Sequence, residues 1–570
     1  MKKTIATLLA IVLILSCCTS CGKETASGTA PSSSEAKPLP KAVAETSTGL
    51  SEECQHTFAA ADKSDGGCYY TETAQCTSCG GVKIEFFETT GHKVEIDAGV
   101  PVTCRSNGFT DKVYCKTCDK TLSEKEIIPL DITAHLIFKT TVPATLMSGS
   151  RDVERCIFCK TETVISTSDK IASPDKAGVP VIRLEGNLEK ATKEHKEGMK
   201  FSYKDGDTEF TCFATVKVQG NTSSEYEKKN YSVKLYNDEA HTDKNKVDLG
   251  WGKEFKYVLK ANYIDASQAR NIVNARLYAR ICRENPDHNP ILDTLPNMGV
   301  TDGYPVAIYL GNEFYGMYTL NIPKENWMFD MKTDEGVKQA MLMLDDWQPS
   351  VYFKEHIAPD FSNGWDVEHC STQNTAWIRT SFNKYIDFVK ANDGEALKKG
   401  LPDYVDVESV IDTMLFHIMI NAYDNYVKNM IYVTYDGGDT WICNPYDLDS
   451  TWGLYWDGSR YVDVGTGTIA PDGKGGIWFR SGVNILWPKL FVAYKSEIKA
   501  RYAELRSGVM SEESIMAEFD KYFDSVPEIL RKSEAERWPD IPQLGVDQRE
   551  QIEEFMTEHL SELDSVIYNY

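Results

Sequence analysis

Asp424, Asn429, Asp447 and Asp449 carry the side-chain oxygens that divalent metal chemistry needs, at a spacing that can bring them together. The stretch Asp424-Asn-Tyr-Val-Lys-Asn429 leads into an apolar run at 431–435. The turn Asp436-Gly437-Gly438-Asp439 follows, then the run 440–443 and Tyr446-Asp447-Leu448-Asp449-Ser450-Thr451-Trp452-Gly453. Alternating β-formers on either side of a Gly-containing loop predict a hairpin. A hairpin returns the chain to where it began, so Asn429 and Asp447 are expected side by side, with Asp424 and Asp449 close by. Two acids in Asp-x-Asp form repel each other unless a cation joins them. Mg²⁺ takes oxygen ligands and keeps waters and phosphates in its remaining positions, so the cluster predicts a nucleotide–metal site.

The elements that must position these residues can be read around them. Val407, Val410, Ile411, Met414, Leu415, Ile418 and Met419 recur at helical spacing and predict a core-facing helix that delivers Asp424 at its C-terminal end. His417 on that helix reads as a packed core residue. Upstream, strands are predicted at 179–184, 211–219 and 230–236. The turn Gly220-Asn221-Thr222-Ser223-Ser224 lies between the second and third. A glycine among hydroxyl residues lets backbone N–H groups approach phosphates, so Gly220 and Asn221 are candidate nucleotide contacts, although most such turns are only turns. Lys234 alternates out of phase with Tyr231, Val233 and Leu235, which places it on the opposite face of its strand. Lys234 and Lys229 are the phosphate-binding candidates, with Lys228 and Lys260 as competitors. Asp265 with Arg270-Asn271 reads as a cap and structural ion pair before it reads as a site. Trp452, Tyr455 and Trp456 read as core, with an acceptor surface as the alternative. Beyond residue 490, helices are predicted at 495–505 and 548–568, packing on the core.

The N-terminus reads as a signal. Lys2 and Lys3 precede an apolar run at 5–15, too short to span a bilayer, and then Ser16-Cys17-Cys18-Thr19-Ser20-Cys21-Gly22. Small residues before cysteine fit lipoprotein processing at Cys21, with Cys17, Cys18 and simple secretion as alternatives. This predicts an extracytoplasmic protein, lipid-anchored to a bacterial cell membrane. Residues 22–50, rich in Ser, Thr, Pro and Lys, read as a flexible tether. The net charge of −24 argues against nucleic acid as a partner.

Residues 51–170 hold nine of the sixteen cysteines in a repeating pattern of about three units. His56 precedes Cys68, Cys76 and Cys79; His92 precedes Cys104, Cys115 and Cys118; His135 precedes Leu146, Cys156 and Cys159. Each unit ends in Cys-x-x-Cys. Modules this small need a staple, and either structural Zn²⁺ or disulfides would serve. Cys212, Cys282, Cys370 and Cys443 are left as disulfide partners or buried thiols.

Five blocks then occur in order over residues 178–500. They are Val218-Gln-Gly220-Asn-Thr-Ser-Ser with Lys228-Lys229-Asn-Tyr-Ser-Val-Lys234; Lys260-Ala-Asn262-Tyr-Ile-Asp265 with Arg270-Asn271; Val306-Ala-Ile-Tyr-Leu-Gly311 with Gly316-Met-Tyr318; Asp424-x4-Asn429; and Pro445-Tyr-Asp447-Leu-Asp449-Ser-Thr-Trp-Gly453. Together they resemble the spore coat protein H (CotH) kinase family. The resemblance implies an α+β chain: a divergent protein-kinase-like domain at 178–570, preceded by small Cys-rich repeat modules. It implies a surface protein kinase that transfers the ATP γ-phosphate to a protein hydroxyl with Mg²⁺ or Mn²⁺. Asp424 would be the catalytic base, and Asn429 and Asp447 or Asp449 the metal ligands, Asp447 before Asp449. Gln219 stands where family members often carry Arg. Thr319-Leu-Asn-Ile-Pro323-Lys324 occupies the span where many carry a Glu, leaving Glu325 as its substitute. The alternatives are a catalytically silent kinase-fold scaffold or adhesion lipoprotein, and another nucleotide-dependent transferase.

Overall fold

A computed structural model describes residues 44–65, 68–88, 91–334, 336–425, 427–460 and 484–569. The expected leader at 1–21 with Cys21, and the tether as far as residue 43, lie outside them. The described chain divides into two compact units, one taking residues up to Phe138 with Arg155–Thr161, the other Lys139–Glu154 with Glu162–Tyr570. Helix and strand are mixed throughout the second unit, as an α+β reading expects. No helix among the described residues is long and apolar enough to cross a membrane.

The first unit consists of short antiparallel strands. Ala44–Thr48, Val82–Glu88, Tyr69–Gln75 and Asp62–Asp65 pair in that order in one sheet, and Val94–Asp97, Lys112–Cys115 and Thr121–Ser123 form another. Apolar burial is meagre: Val94, Ile96, Ile127 and Ile132 are all more than half exposed. Such a unit has too little core to fold on hydrophobic burial alone.

The second unit contains a closed barrel of seven strands: β1 (Val181–Glu185), β2 (Glu197–Asp205), β3 (Thr208–Gln219), β4 (Asn230–Tyr236), β5 (Lys256–Lys260), β6 (Gly303–Leu310) and β7 (Glu313–Asn321). Their order is β1-β2-β3-β4-β5-β7-β6, closed by parallel pairing of β6 with β1 through Val181↔Ala307. The alternation in each strand explains the inside. Ala214, Val216 and Val218 of β3, Val233 and Leu235 of β4, and Tyr257 and Leu259 of β5 all bury into one core. The opposite faces of β4 and β5 carry Lys234, Lys256 and Lys260. Register then aligns them, with Lys234 paired to Lys256.

A second sheet, ordered β9-β8-β10-β11, comprises β8 (Ala340–Leu344), β9 (Trp365–Cys370), β10 (Met430–Thr434) and β11 (Ile442–Pro445). The expected hairpin is β10–β11. Helix α1 (Arg270–Glu284) follows the barrel's fifth strand, and α2 (Val407–Met419) occupies the predicted residues, started by Asp406 accepting from Ser409 N at 2.8 Å. His417 is fully buried, and burial pushes its imidazole down to about 3, so it stays neutral. Helices α3 (Lys495–Ser507), α4 (Glu528–Arg537) and α5 (Gln548–Asn569) pack on this core. Arg501 of α3 grips Asp412 at 2.7 Å, and the His559 ring of α5 meets the Ile418 carbonyl at 2.9 Å. The thiols of Cys212, Cys282 and Cys443 are free and buried.

Candidate functional site

Asp424 arrives on a short 3₁₀ turn, Tyr423–Asn425, just past the end of α2. The Asn429 amide donates to its carboxylate at 3.1 Å, and Lys428 pairs with it at 2.8 Å. The hairpin does what its sequence requires. Asn429 N donates to Leu344 O, and Tyr446 N donates to Asn429 O at 3.0 Å, so Asp447 follows directly on a residue paired with Asn429. Asn429 and Asp447 both hold left-handed backbone, φ +56° and +54°. Such strain persists in non-glycine residues only where the surroundings enforce it.

Helix α1 supplies that enforcement. Asn271 accepts from Leu448 N at 3.2 Å. Asn274 donates to Leu448 O and Thr451 Oγ1 and accepts from Trp452 Nε1 at 2.8 Å. Arg270, fully buried, pairs with Asp265 at 2.5 Å and donates to Thr451 O. Asp265 and Arg270 thus form a buried structural pair whose arginine holds the backbone at Thr451, just after Asp449. Trp452 is buried in the core, whereas Tyr455 and Trp456 line the cleft.

The acids face the lysine-bearing side of the barrel across a cleft of about 1090 Å³. Lys260 is the lysine that meets them, 2.6 Å from Asp447 and 3.8 Å from Asp449. The sequence reading ranked Lys260 only as a competitor. The signal was the period-two pattern Lys256-Tyr-Val-Leu-Lys260, which puts both lysines on Lys234's face. Lys234 lines the cleft as expected, but Lys229 does not. Its Nζ donates to the carbonyls of Ser224 at 2.6 Å and Tyr226 at 3.0 Å, so it ties down the glycine turn. Lys228 is buried with Glu534, bonding to it at 2.5 Å and to Ala261 O at 2.8 Å. Gly220 holds φ +105°, a conformation that residues with a side chain rarely adopt, so the turn calls for glycine. Asn221 lines the cleft and reaches Asp345 of the second sheet's neighbourhood at 3.5 Å. Glu325 pairs with Lys256, not with Lys260.

Electrostatics divides the two acids of Asp-x-Asp. Burial pushes both carboxyls up. At Asp447 the neighbouring lysines, Lys260 foremost, outweigh burial and hold the group below its ordinary range. At Asp449 burial and the Asp447 charge prevail and push it up to about 7. Lys260 is held charged by Asp447 and Asp449 despite its burial. The Lys260 ammonium stands between the two carboxyls, and the donor set of Asn429, Asp447 and Asp449 suits a hard divalent ion.

The first unit gathers a different chemistry. Three clusters each bring four ligand atoms within 4.8 Å of one another: Cys54, His56, Cys76 and Cys79; Cys68, His92, Cys115 and Cys118; Cys104, His135, Cys156 and Cys159. This regroups the sequence reading. Cys68 joins His92 and not His56, Cys104 joins His135 and not His92, and Cys54, assigned to no unit, completes the first cluster. The cysteine two residues before His56 was the missed signal. Among the described residues no cysteine is in a disulfide.

No curated protein matches this chain in a search of such proteins. The CotH kinase protein family, however, matches residues 216–563. That span runs from mid-β3 to the last helix and takes in the glycine turn, Lys260, α1, the hairpin and all four acid-cluster residues. With the matched region covering more than half of its length, the chain belongs to the CotH kinase protein family.

Proposed function

We propose that this chain is a surface-anchored atypical protein kinase, with a divergent kinase-like catalytic domain that transfers the γ-phosphate of ATP to a hydroxyl of a protein at the cell surface. The observation that carries the reading is the meeting of Lys260 with Asp447 and Asp449 across one cleft, with Asp424 and Asn429 alongside. A bound Mg²⁺ or Mn²⁺ would neutralise phosphate charge, held by Asn429, Asp447 and Asp449. The chain's own residues do the rest. Lys260 holds phosphate oxygens, with Lys234 further along the same cleft as a second cation; the Gly220–Asn221 turn covers them. Asp424, oriented by Asn429, accepts the hydrogen bond of the acceptor hydroxyl and so aims it. Such positioning and charge stabilisation supply most of the catalysis in phosphoryl transfer. Lipidation at Cys21 would hold the enzyme at the bacterial membrane, and structural metal, zinc by donor type, would staple the His/Cys clusters.

A second reading, a silent kinase-fold scaffold, is favoured by one observation: Glu325 pairs with Lys256, so among the described residues Lys260 has no glutamate partner. Thermal shift with ATP plus Mg²⁺ or Mn²⁺ separates them. The kinase reading expects metal-dependent stabilisation of the wild type and none of Asp447→Ala. Absence of stabilisation in the wild type sinks every nucleotide-dependent reading. Transfer of label from γ-labelled but not α-labelled ATP then distinguishes phosphoryl from nucleotidyl transfer.

A further inference from the structure

The three His/Cys clusters share one local geometry. After the first cysteine of each Cys-x-x-Cys, the chain turns so that the residue following the second cysteine donates back to the first. These bonds are Gly80 N to Cys76 O, Asp119 N to Cys115 O and Lys160 N to Cys156 O, at 2.9, 2.9 and 3.1 Å. Each donor holds left-handed backbone, φ +75°, +54° and +62°. The residue after the first cysteine donates to the residue after the histidine: Thr77 N to Thr57 O, Lys116 N to Lys93 O and Ile157 N to Leu136 O. Within the clusters, the Sγ pairs Cys54–Cys76, Cys68–Cys115 and Cys104–Cys156 stand 3.8, 3.1 and 3.6 Å apart. The pairs Cys79–His56, Cys118–His92 and Cys159–His135 stand 3.5, 3.7 and 3.4 Å apart. A tetrahedron with Zn–S near 2.3 Å and Zn–N near 2.05 Å has edges of about 3.8 Å for S···S and about 3.5 Å for S···N.

The order of ligands along the chain is unusual. Cys68 lies between His56 and Cys76, inside the span of the first cluster, yet belongs to the second. Cys104 lies inside the span of the second and belongs to the third. At the equivalent place inside the third span stands Leu146. Its turn copies that of Cys104. Ser106 N and Arg105 N donate to Thr103 Oγ1, and Ser148 N and Met147 N donate to Thr145 Oγ1. The partners differ. Cys104 N donates to Ala134 O, next to the following histidine, whereas Leu146 N donates to Ser533 Oγ of α4. Leu146 is buried in the second unit's core, and Thr145 Oγ1 donates to Glu536 at 2.7 Å.

We infer that the repeats form an interlocked zinc array, in which each ion after the first is bound by one cysteine from the preceding module and by the His and Cys-x-x-Cys of the next. Leu146 ends the array by replacing the donated thiolate with an apolar plug for α4. This rests on the reading of the clusters as zinc sites. No module after the first completes its own site, so each ion after the first staples two consecutive modules that lack a core of their own.

The experiment measures bound zinc in the full chain by native mass spectrometry and maps cysteine alkylation. Wild type is expected to hold three ions, and no zinc there would overturn the zinc reading itself. Cys68→Ser is expected to hold two, with Cys115 and Cys118 becoming alkylated while Cys76 and Cys79 stay protected. Adding His92→Ala to Cys68→Ser should leave two ions, and adding His56→Ala should leave one. Three ions in wild type but exposure of Cys76 and Cys79 in Cys68→Ser would overturn the interlocking and restore self-contained modules.

Discussion

Lys260 and Lys229 are alike by type and are separated by what surrounds them. Lys260 stands between two carboxylates at the cleft floor, and Lys229 spends its donors on two backbone carbonyls of the glycine turn. Removing one preorganised charge from a site of developing negative charge costs about 10²–10³ in rate. On the kinase reading, Lys260→Met is therefore expected to lose at least ~100-fold in phosphoryl transfer, along with the ATP- and metal-dependent thermal shift. Lys229→Met should loosen the turn and raise KM for ATP by less than ~10-fold, since hydrogen bonds of this kind contribute about 0.5–1.5 kcal/mol each. Initial rates of the two variants decide between them, and a severe Lys229→Met with a mild Lys260→Met would return the phosphate role to the turn. The residue types of the acid cluster were legible because a hairpin converts sequence spacing into proximity. Lys260's partner was not, because Asp447 meets it through the packing of the barrel against the second sheet, and no local period records that.

At the scale of elements, the barrel is braced by α4. Lys228, with no exposed side-chain surface, bonds Glu534, which also accepts from Met317 N of β7. Breaking a buried pair strands the other charge, at a cost of about 3–5 kcal/mol. Lys228→Met should lower stability by roughly that amount in urea unfolding, and adding Glu534→Gln should recover part of it by removing the stranded charge. A Lys228→Met that costs less than ~1 kcal/mol would mean that water reaches the pair in solution. The elements differ in how far the sequence announced them. Helix α2 and the hairpin strands carry their own periods, and β3 and β4 alternate cleanly. Barrel closure depends on β6 lying parallel to β1 across more than a hundred intervening residues, and only tertiary packing selects that pairing. The clusters failed in a related way. Spacing counted from each histidine suggested self-contained units, but Cys68 and Cys104 leave their own loops for the next.

For the whole molecule, the two units should respond to different stresses. The second has a large core in which His417 and His559 are buried, pushed down to about 3 and about 4 from an ordinary 6.5. The folded state keeps both neutral while the unfolded chain takes up protons below pH 6.5. The folded state therefore loses stability as pH falls from about 6.5 towards 4, by at most ~1.4 kcal/mol per pH unit for each histidine. His417→Gln should flatten the fall in Tm between pH 7 and 5, and an unchanged slope would remove His417 from the account. Among its described residues the first unit has no comparable core, with Ile96, Ile127 and Ile132 largely exposed, and on the zinc reading its order depends on ions that a chelator can strip. A strong zinc chelator under reducing conditions should abolish hydrogen-exchange protection around Cys76, Cys115 and Cys156 while leaving α2 and β10 protected. Loss of protection at α2 as well would show that the CotH domain depends on the array for its fold, and a first unit indifferent to the chelator would show that its strands hold without metal.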